Sequence, residues 1–373
     1  MNTINDLLQQ YCSMGVEYKT LKDVSRIEKG QQLNKSSLKD KAKYPVMNGG
    51  ILPSGYWNEY NTESDTIIIS QGGASAGYTQ FMTMRFWAGA HCFVVKPQGI
   101  LNKYLYYVIK KYQNILMHNQ YGVGIPALSK ETLQALQIPL PPMPIQQEIV
   151  RILDKYSEFE NKLEIKLQEE IDTRKKQYEY YRNRLLSFDS YTIKTKKIQM
   201  KPLSEVVCIC NGKDHKHLKK GVYPVYGSGG IIRYVDTYIY NDVSVLIPRK
   251  GSVGNIFYIT TPFWTVDTIF FTKINKDLVE PKYLYYFLLN QHLEKMNLAV
   301  GVPSLTKMML NKIVVAVPSL EEQRKIVELL DNYTSLEKEL EIKLQEEIDT
   351  RKKQYEYYRN KLLAFSPKLK EDD

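Results

Sequence analysis

The stretch LEIKLQEEIDTRKKQYEYYRN occupies residues 163–183, and the same 21 residues recur at 340–360 without a mismatch. Its apolar side chains Leu163, Leu167 and Ile171 recur at helical spacing, with charged residues between them. In both copies this stripe continues in steps of three and four residues, with one stutter of successive fours, which is typical of a helix packed on another helix. About 40 helical residues span about 60 Å. Because a domain of about 140 residues is narrower than that, we expect the two copies to pack on each other.

The sequence around the repeat is duplicated as well, but only loosely. Five short segments recur in the same order in both halves: YPVMNGG and YPVYGSGG (44–50, 223–230), IIISQGGASAG and VLIPRKGSVG (67–77, 245–254), YLYYVI and YLYYFL (104–109, 283–288), GVGIPALSKETL and AVGVPSLTKMML (122–133, 299–310), and QQEIVRILD and EQRKIVELLD (146–154, 322–331). Between these segments the halves differ almost everywhere. We therefore expect two related globular domains, each followed by a copy of the long helix.

The globular halves combine strand and helix signals. Short β-branched or aromatic runs next to Gly or Pro predict strands at 67–69, 92–95, 243–247 and 268–272. Short helices are predicted at 103–111 and 282–290, and proline-containing segments precede the long helices at 138–144 and 316–319. The prediction is a mixed α/β fold. Its boundaries are 1–144 and 189–320 for the domains, 145–188 and 321–365 for the helices, and 366–373 for a tail.

The composition favours a polyanionic partner. The formal net charge is +10 and the pI about 9.0, which fits nucleic acid and also fits plain solubility. The sequence has no apolar run long enough for a membrane span. The polar N-terminus lacks the apolar region of a signal peptide, and four cysteines form no disulfide framework in a chain of 373 residues. We therefore expect a cytoplasmic protein.

Two glycine-rich segments superficially suggest nucleotide or methyl-donor binding. GGASAGYT at 72–79 resembles a phosphate-binding loop, but Tyr78 stands where that loop needs lysine, and 249–255 does not fit either. YGSGG at 226–230 resembles a loop that binds S-adenosylmethionine, yet no convincing βαβ unit follows it. An Asn-Pro-Pro-aromatic motif, which an amino-methyltransferase would carry, does not occur. We therefore predict no cofactor on this chain.

A zinc site and a catalytic centre are disfavoured as well. Cys208 and Cys210, with His215 and His217, are poorly spaced for a tetrahedral site, and the first half has Arg and Glu at the matching cysteine positions. The segment 215–220 fits a basic loop near DNA better. Neither a Ser/His/Asp triad nor a nuclease core is recognisable.

Gly/Ser loops that follow predicted strands are the best candidates for DNA contact. Such a loop can present backbone N–H groups to phosphates and side chains to bases, although an ordinary tight turn has the same composition. Lys130 and Lys307 follow equivalent turns and can meet phosphates. The predicted DNA-binding residues are Lys29, Gln31, Asn48, Gln71, Ser75, Tyr78 and Lys130 in the first half, and Asn211, Lys213, Ser228, Arg233, Arg249, Lys250, Ser252, Asn255 and Lys307 in the second.

The end of the exact repeat, QYEYYRN, suggests a second constraint besides helix pairing. Tyr178 and Tyr181 fall on the apolar stripe, whereas we expect Tyr180 and Arg182 to point outward. Identity at outward positions indicates either partner docking or a recent duplication, and one sequence does not separate these explanations. The predicted docking residues are Tyr180, Arg182, Tyr357 and Arg359.

Taken together, the chain resembles the specificity (S) subunit of a type I DNA restriction–modification system. The resemblance covers nearly the whole chain. It rests on the L-x-[DE]-V-x5-G openings at 21–30 and 203–212, the duplicated segments given above, the helix entries PLPPMPIQQEIVRILD and VPSLEEQRKIVELLD, and the repeated helix. Two copies of the whole order make the resemblance specific.

The resemblance implies two target-recognition domains with curved, mostly antiparallel sheets, each recognising one half of a bipartite DNA site. It also implies that the helices pair antiparallel as a spacer and as the docking surface for two methyltransferase (M) subunits, which restriction (R) subunits then join. S-adenosylmethionine is expected on the M subunits, and ATP and Mg²⁺ on the R subunits. The chain itself is expected to be non-catalytic.

Two other functions compete with this interpretation. A coiled-coil scaffold that binds no DNA would leave the charge of +10 and the divergent Gly/Ser/Lys loops unexplained. A regulator that binds DNA alone would leave the duplicated outward face unexplained. An identical antiparallel pair would present one surface twice, which suits two copies of one partner.

Overall fold

The computed structural model describes residues 4–118, 127–188, 190–195, 197–296 and 304–368. The chain forms two compact units. Unit 1 comprises Met1–Lys166 with Glu346–Asp373, and unit 2 comprises Leu167–Gln345. Each unit thus contains one globular domain, part of the long helix that follows it, and part of the other long helix.

The first globular domain alternates short strands and short helices. Its strands are β1 (Glu17–Thr20), β2 (Ser25–Lys29), β3 (Tyr44–Met47), β4 (Gly55–Trp57), β5 (Thr66–Ser70), β6 (Thr79–Met82), β7 (Trp87–Ala88), β8 (Cys92–Pro97) and β9 (Gln137–Leu140). Its helices are α1 (Ile4–Cys12), α2 (Leu21–Val24), α3 (Asn102–Lys111), α4 (Gln113–His118) and α5 (Lys130–Gln134), and the long helix α6 (Met143–Leu186) follows.

The second globular domain repeats this order. Its strands are β10 (Gln199–Pro202), β11 (Val207–Asn211), β12 (Lys220–Gly227), β13 (Gly230–Val235), β14 (Ser244–Pro248), β15 (Phe257–Ile259), β16 (Trp264–Thr265), β17 (Ile269–Ile274) and β18 (Val314–Val317). Its helices are α7 (Ser190–Thr195), α8 (Leu203–Val206), α9 (Pro281–Asn290) and α10 (Lys307–Asn311), and the long helix α11 (Leu320–Leu362) follows.

The sheets have the same topology in both units. Unit 1 contains a sheet of order β2-β8-β5-β6, a second of order β4-β3-β7 and the pair β1-β9, and unit 2 contains β11-β17-β14-β15, β13-β12-β16 and β10-β18. The pairings are antiparallel except for β3 with β7 and β12 with β16. The predicted mixed α/β class with mostly antiparallel sheets is confirmed.

The central strand β5 shows why this sheet forms. Its run TIIIS is buried on both faces, which suits β-branched residues in the middle of a covered sheet. Because side chains alternate along a strand, Ile67 and Ile69 join the core formed with α3 and α6, whereas Ile68 joins a second cluster with Met47 and Phe86. The strand therefore holds the two sheets of the domain together.

A buried glutamine fixes the start of each long helix. Gln146 Oε1 accepts from the Leu101 N–H at 2.9 Å, and its Nε2 donates to the Pro141 carbonyl at 2.9 Å. Gln323 makes the equivalent bonds to the Glu280 N–H and the Pro318 carbonyl, both at 2.8 Å. Each glutamine thereby joins the helix to its own globular domain.

The long helices pair antiparallel within each unit, as predicted. In unit 2, Lys175 pairs with Glu341 at 3.1 Å and Tyr178 contacts Thr334 at 3.1 Å, so the contacts run in opposite chain directions. In unit 1, Lys352 pairs with Glu164 at 3.0 Å and Tyr355 accepts from the Ser157 hydroxyl at 3.0 Å. These are the same contacts, made by equivalent residues of the repeat.

The predicted apolar stripe is only partly covered. Its residues Tyr156 and Tyr181 in α6, and Tyr333 and Tyr358 in α11, are 38–45% exposed, and one equivalent position of each helix is more exposed still. Phe159 is 63% exposed and Leu336 is 62% exposed, so neither side chain is covered by the facing helix. Both residues stand at the start of the stutter. Successive steps of four residues rotate a stripe around a helix of 3.6 residues per turn, which turns its first member away from the partner.

The C-terminal segment completes unit 1. The Ser366 carbonyl accepts from the Val16 N–H at 2.9 Å, and the Lys368 N–H donates to the Val16 carbonyl at 2.9 Å. The Tyr18 hydroxyl donates to the Phe365 carbonyl at 2.8 Å. The segment after α11 is therefore hydrogen-bonded to the start of the first globular domain.

Candidate nucleic-acid interface

In unit 1, the ends of several strands meet at the turn between β7 and β8. The Gly30 N–H donates to the Cys92 carbonyl at 3.0 Å, and the Gln31 N–H donates to the Ala88 carbonyl at 2.8 Å. The Trp87 indole donates to the Gln31 carbonyl at 3.0 Å. A side chain at Gly30 would lie 2.1 Å from a backbone oxygen, so only glycine allows this approach. The exposed side chains of Lys29 and Gln31 are held on either side of it.

Asn48 and Gln71 are fixed against the same turn. The His91 N–H donates to Asn48 Oδ1 at 3.4 Å, and the Gln71 N–H donates to the His91 carbonyl at 2.8 Å. The Gln71 carbonyl accepts from the Leu128 N–H at 2.8 Å, and Gly72 forms a β-bridge with Ala127. The Gly/Ser loop is thus anchored to the segment that leads to α5.

The remaining candidates of unit 1 lie on these two segments. The Ser75 carbonyl accepts from the Tyr78 N–H at 2.9 Å, and the Tyr78 ring lies 4.4 Å from Lys110 Nζ. Lys130 is exposed at the first residue of α5, after the cap residue Ser129. The pKa of Glu28 is lowered, first by a hydrogen bond from Lys96 and more weakly by nearby charges that include Lys130. Lys130 therefore lies close to the end of β2.

Unit 2 builds the same scaffold from different side chains. The Lys213 N–H donates to the Thr265 carbonyl at 2.8 Å, and the Trp264 indole donates to the Lys213 carbonyl at 3.0 Å. A side chain at Gly212 would lie 2.0 Å from the Val266 carbonyl oxygen. Lys213 therefore takes the position of Gln31, and the exposed Asn211 takes that of Lys29.

The loop after β14 brings basic side chains to this scaffold. The Arg249 N–H donates to the Thr268 carbonyl at 2.8 Å, and the Arg249 carbonyl accepts from the Leu305 N–H at 2.8 Å. Lys250 forms a β-bridge with Ser304. The charged groups of Arg249 and Lys307 lie 5.7 and 5.9 Å from the centre of the Phe270 ring. A concentration of cations of this kind is typical of phosphate recognition.

Ser228, Ser252 and Asn255 complete the candidates of unit 2. The Ser228 N–H donates to Thr268 Oγ1 at 3.4 Å, and its carbonyl accepts from Asn255 Nδ2 at 3.5 Å. The exposed Ser252 belongs to the same loop, and its carbonyl accepts from the Asn255 N–H at 3.0 Å.

Sequence reasoning missed the residues at the centre of both arrangements. His91 in unit 1 and Thr268 in unit 2 accept the backbone bonds of the loops that surround them. Only the duplicated tryptophans, Trp87 and Trp264, could have indicated these turns in advance. Around these turns the structure brings together Gln31, Asn48 and Gln71 in unit 1, and Lys213, Ser228 and Arg249 in unit 2. Tyr78 packs on Lys110 of α3 instead.

Arg233 has a structural role in unit 2. Its Nη2 donates to the Leu218 carbonyl at 2.6 Å and to the His215 carbonyl at 3.3 Å. The side chain is only partly exposed and holds the loop between β11 and β12. The Nη2 group of Arg233 thus serves two backbone carbonyls, and a contact of Arg233 with DNA stays a prediction.

Each globular domain is joined to its long helix by an equivalent polar triad. Asp154 accepts from Lys103 at 2.7 Å and from the Tyr107 hydroxyl at 2.5 Å. Asp331 accepts from Lys282 at 2.8 Å and from the Tyr286 hydroxyl at 2.6 Å. Burial, and then the bond to the carboxylate, raises the pKa of both tyrosines. The triads fix the orientation of α3 and α9 against the long helices.

The predicted docking residues differ in exposure. Tyr180 and Tyr357 are exposed, as expected, but Arg359 is only 5% exposed and Arg182 is half-buried. The expectation that the arginines point outward is therefore wrong. Each guanidinium packs against the tyrosine four residues earlier, at 5.6 Å for Arg182 and 5.8 Å for Arg359, because residues four apart are neighbours on a helix.

An exposed apolar patch accompanies the helix pair in each unit. We call it the helix patch. It consists of Tyr156, Phe159 and Tyr358 in unit 1 and of Tyr333, Leu336 and Tyr181 in unit 2. In unit 2 it borders a groove of about 390 Å³, which Tyr178 and Leu340 also line. Exposed apolar patches of this kind are typical of protein contacts.

Two negative findings concern only the described part of the chain. Within it, no group of three or more His, Cys, Asp or Glu side chains could hold a metal ion. No helix among the described residues is long and apolar enough to cross a membrane.

The comparisons with known proteins agree on one family. Residues 14–173 and 195–350 match the family model of the type I restriction modification DNA specificity domain. Over 378 residues the chain is 30% identical to a type I restriction enzyme specificity subunit of Haemophilus influenzae, covering 94% of this chain and 96% of that protein. It is 28% identical to the EcoR124I/EcoR124II specificity subunit of Escherichia coli, covering 64% of this chain and 65% of that protein.

Two solved structures share the fold. A protein from a study of complex assembly and conformational transition in the type I R-M system gives a TM-score of 0.73 at 15% identity, covering 94% of this chain and 97% of that one. The HsdS subunit of Thermoanaerobacter tengcongensis gives a TM-score of 0.55 at 16% identity, covering 94% of this chain and 96% of that one. Because the family model matches both halves and a relative is similar over nearly the full length, the chain belongs to the family of type I restriction–modification DNA specificity subunits.

Proposed function

We propose that each unit recognises one half of a bipartite DNA target and that the chain is the specificity subunit of a restriction–modification complex. The observation that carries this proposal is the shared scaffold with different side chains. Gln31 and Lys213 occupy equivalent positions fixed by the same backbone bonds, and so do Gln71 and Arg249. The same backbone bonds carrying different polar side chains suit two domains that recognise different base sequences.

Recognition of phosphates supplies most of the affinity in this proposal. We call the turns between β7 and β8 and between β16 and β17 the central turns. The positive charge of the two interfaces comes from Lys29 and Lys130 in unit 1 and from Arg249, Lys250 and Lys307 in unit 2. Binding should therefore weaken steeply as salt rises, because each neutralised phosphate releases counterions.

The helix patch is the proposed docking surface for methyltransferase subunits. Equivalent apolar positions are exposed in both units, with Phe159 in one and Leu336 in the other, so two similar patches suit two copies of one partner. This replaces the arginines of the sequence prediction, whose guanidinium groups pack on tyrosines. Tyr180 and Tyr357 stay as predicted docking residues beside the patch.

The chain is proposed to be non-catalytic. The predicted DNA contacts involve Lys, Arg, Asn, Gln, Ser and Tyr groups that bind and orient, and none is placed as a nucleophile beside a base. S-adenosylmethionine would be bound by the M subunits, and ATP and Mg²⁺ by the R subunits.

The long helices are proposed to set the distance between the two recognised half-sites. Each helix contributes to both units and pairs antiparallel in each. Inserting four residues at equivalent points of both helices adds about 6 Å of helix, which corresponds to about two base pairs. A recognised gap that keeps its length after this insertion contradicts the spacer role.

A pull-down from host lysate tests the assembly. The tagged full-length chain should co-purify with an adenine methyltransferase, and the variant Phe159→Ser with Leu336→Ser should fail to recover it. The matched control Ile165→Ser with Ile342→Ser changes exposed aliphatic residues of the same helices outside the patch. Equal recovery of methyltransferase by both variants and by the unaltered chain argues against docking at the helix patch.

A further inference from the structure

Each unit exposes two consecutive aliphatic side chains directly after two glycines. Ile51 and Leu52, which follow Gly49–Gly50, are 49% and 77% exposed, and Ile231 and Ile232, which follow Gly229–Gly230, are 50% and 55% exposed. We call these the aliphatic pairs. Adjacent exposed aliphatic residues at equivalent places in two otherwise divergent domains indicate a contact surface.

In unit 1 the aliphatic pair begins at the centre of the candidate interface. Gly49 has a φ of +90°, and a side chain there would meet the His91 carbonyl oxygen at 3.0 Å and the Gly72 carbonyl oxygen at 3.5 Å. The Gly49 N–H donates to Cys92 Sγ at 3.1 Å. The backbone just before Ile51 is therefore fixed between the central turn and the Gly/Ser loop.

In unit 2 a β-bulge places the equivalent pair. Val225 is paired with Arg233 and Tyr226 with Ile231, so Ile232 is the extra residue of the bulge. A Cβ atom added to Gly227 would lie 2.8 Å from Ile232 Cδ1 and 3.6 Å from Thr268 Oγ1. Bulges re-aim side chains next to functional sites, and this one directs an aliphatic group to the central turn of unit 2.

We propose that each aliphatic pair inserts into the DNA groove at a base step of its own half-site and partly unstacks that step. This inference rests on the proposed function. The surrounding charge favours DNA over an apolar protein surface, because Lys29 ends β2 in unit 1, and Arg249 and Lys250 lie on the loop after β14 in unit 2. Proteins that bend DNA insert aliphatic wedges between base pairs while cations hold the flanking phosphates.

The glycines beside the pairs support close approach of the backbone to DNA. Nothing lies within 4 Å of the side-chain position of Gly229 or Gly230, and Gly230 has a φ of +115°. A side chain at either glycine would project into this open space. Because glycine has no side chain, DNA can approach the backbone closely at this point, and the aliphatic side chains can contact the bases.

The test uses the assembled complex of the full chain with its methyltransferase subunits and a duplex that carries the mapped target. A 2-aminopurine is placed at each step of one half-site in turn, and its fluorescence reports unstacking. The unaltered complex should show enhanced fluorescence at one step in each half. Ile231→Ser with Ile232→Ser should abolish the signal in the half-site recognised by unit 2 and leave the signal in the other half-site unchanged. The same variant should bind about tenfold more weakly or worse, because serine removes the apolar surface that the bases would cover.

Two control variants separate the contact from general damage. Val222→Ser changes a residue that is 77% exposed at the other end of the same hairpin and should bind as the unaltered chain does. Ile231→Leu with Ile232→Leu keeps the apolar contact and should restore fluorescence. The salt dependence should stay unchanged in every variant, since no phosphate contact is removed.

The outcomes are distinguishable from failure of the proposed function. If the unaltered complex shows no sequence preference, the proposed function itself fails. If it recognises its target but no step gains fluorescence, or if Ile231→Ser with Ile232→Ser keeps full binding and signal, the insertion is disproved. If the variant Ile231→Ser with Ile232→Ser keeps DNA binding but no longer assembles with the methyltransferase subunits, the insertion is disproved and the aliphatic pairs contact protein.

Discussion

Tyr181 stacks on Tyr333 with ring centroids 5.6 Å apart and ring planes 11° from parallel. Tyr358 and Tyr156, the equivalent residues of the other unit, stack at 6.1 Å and 23°. The exact repeat supplies one ring of each pair, and the more variable helix entry supplies the other. Both units therefore use the same aromatic contact between the long helices.

Replacing these rings should reveal a direct coupling. We expect Tyr181→Ala and Tyr333→Ala to be non-additive by about 1 kcal/mol in the free energy of unfolding, the usual contribution of a stacked aromatic pair. Denaturant unfolding of both single variants and the double variant measures this value. Ile342→Ala changes an exposed residue of α11 in the same unit and provides the control. Additive effects within error would show that the rings do not stabilise the helix pair.

The polar triads should stabilise the joint between each domain and its helix. Asp154→Asn removes the ion pair with Lys103 and weakens the bond from Tyr107, so we expect a decrease of about 1–3 kcal/mol in the free energy of unfolding. Asp331→Asn should behave alike in unit 2. Thermal unfolding checks both, with Glu158→Gln as a control, since that exposed residue forms only a helical surface pair. A change in Asp154→Asn no larger than in the control would contradict this role.

Lys110 should make stability depend on pH in the alkaline range. Burial, followed by the charge of Arg359, lowers its pKa to about 8. Between pH 8 and its ordinary value near 10.5, the folded state therefore binds fewer protons than the unfolded state, and stability rises with pH. The unfolding free energy of the unaltered chain, relative to that of Lys110→Gln, should therefore increase from pH 8 to 10. A constant difference over that range would show that Lys110 does not titrate as expected.

Single lysines of the interface should change the salt dependence of DNA binding. We expect Lys29→Ala and Lys250→Ala each to reduce the slope of log K against log salt by about 1, similarly for specific and unrelated duplexes. Fluorescence anisotropy titrations at several salt concentrations measure the slope. Lys162→Ala, on the surface of α6 and paired with Glu158, is the matched control. A slope that changes equally in the control would place the DNA elsewhere.

The elements that could be predicted from the sequence are those with a regular apolar spacing or a second copy in the chain. The long helices, their packing on each other and α3 and α9 follow from apolar spacing and from repeated segments such as YLYY. The antiparallel orientation of the long helices was implied by the family resemblance. The grouping of Lys29, Asn48, Gln71 and Lys130 depends on strand order, which no local pattern encodes. The triad partner of Asp154 could not be identified either, because Tyr107 is distant in sequence. The burial of Arg359 was missed. Helical periodicity gives the direction in which the Cα–Cβ bond points, but not that the long side chain folds back onto Tyr355.

We propose above that each unit recognises its own half of one bipartite target. Mapping methylated adenines genome-wide, in cells that carry this chain with its methyltransferase partner, tests it most directly. We expect a two-part motif with an unspecified gap, and a preference altered in one half by Gln71→Ala and in the other half by Arg249→Ala. A continuous motif, or altered preference in both halves or in neither, would contradict it.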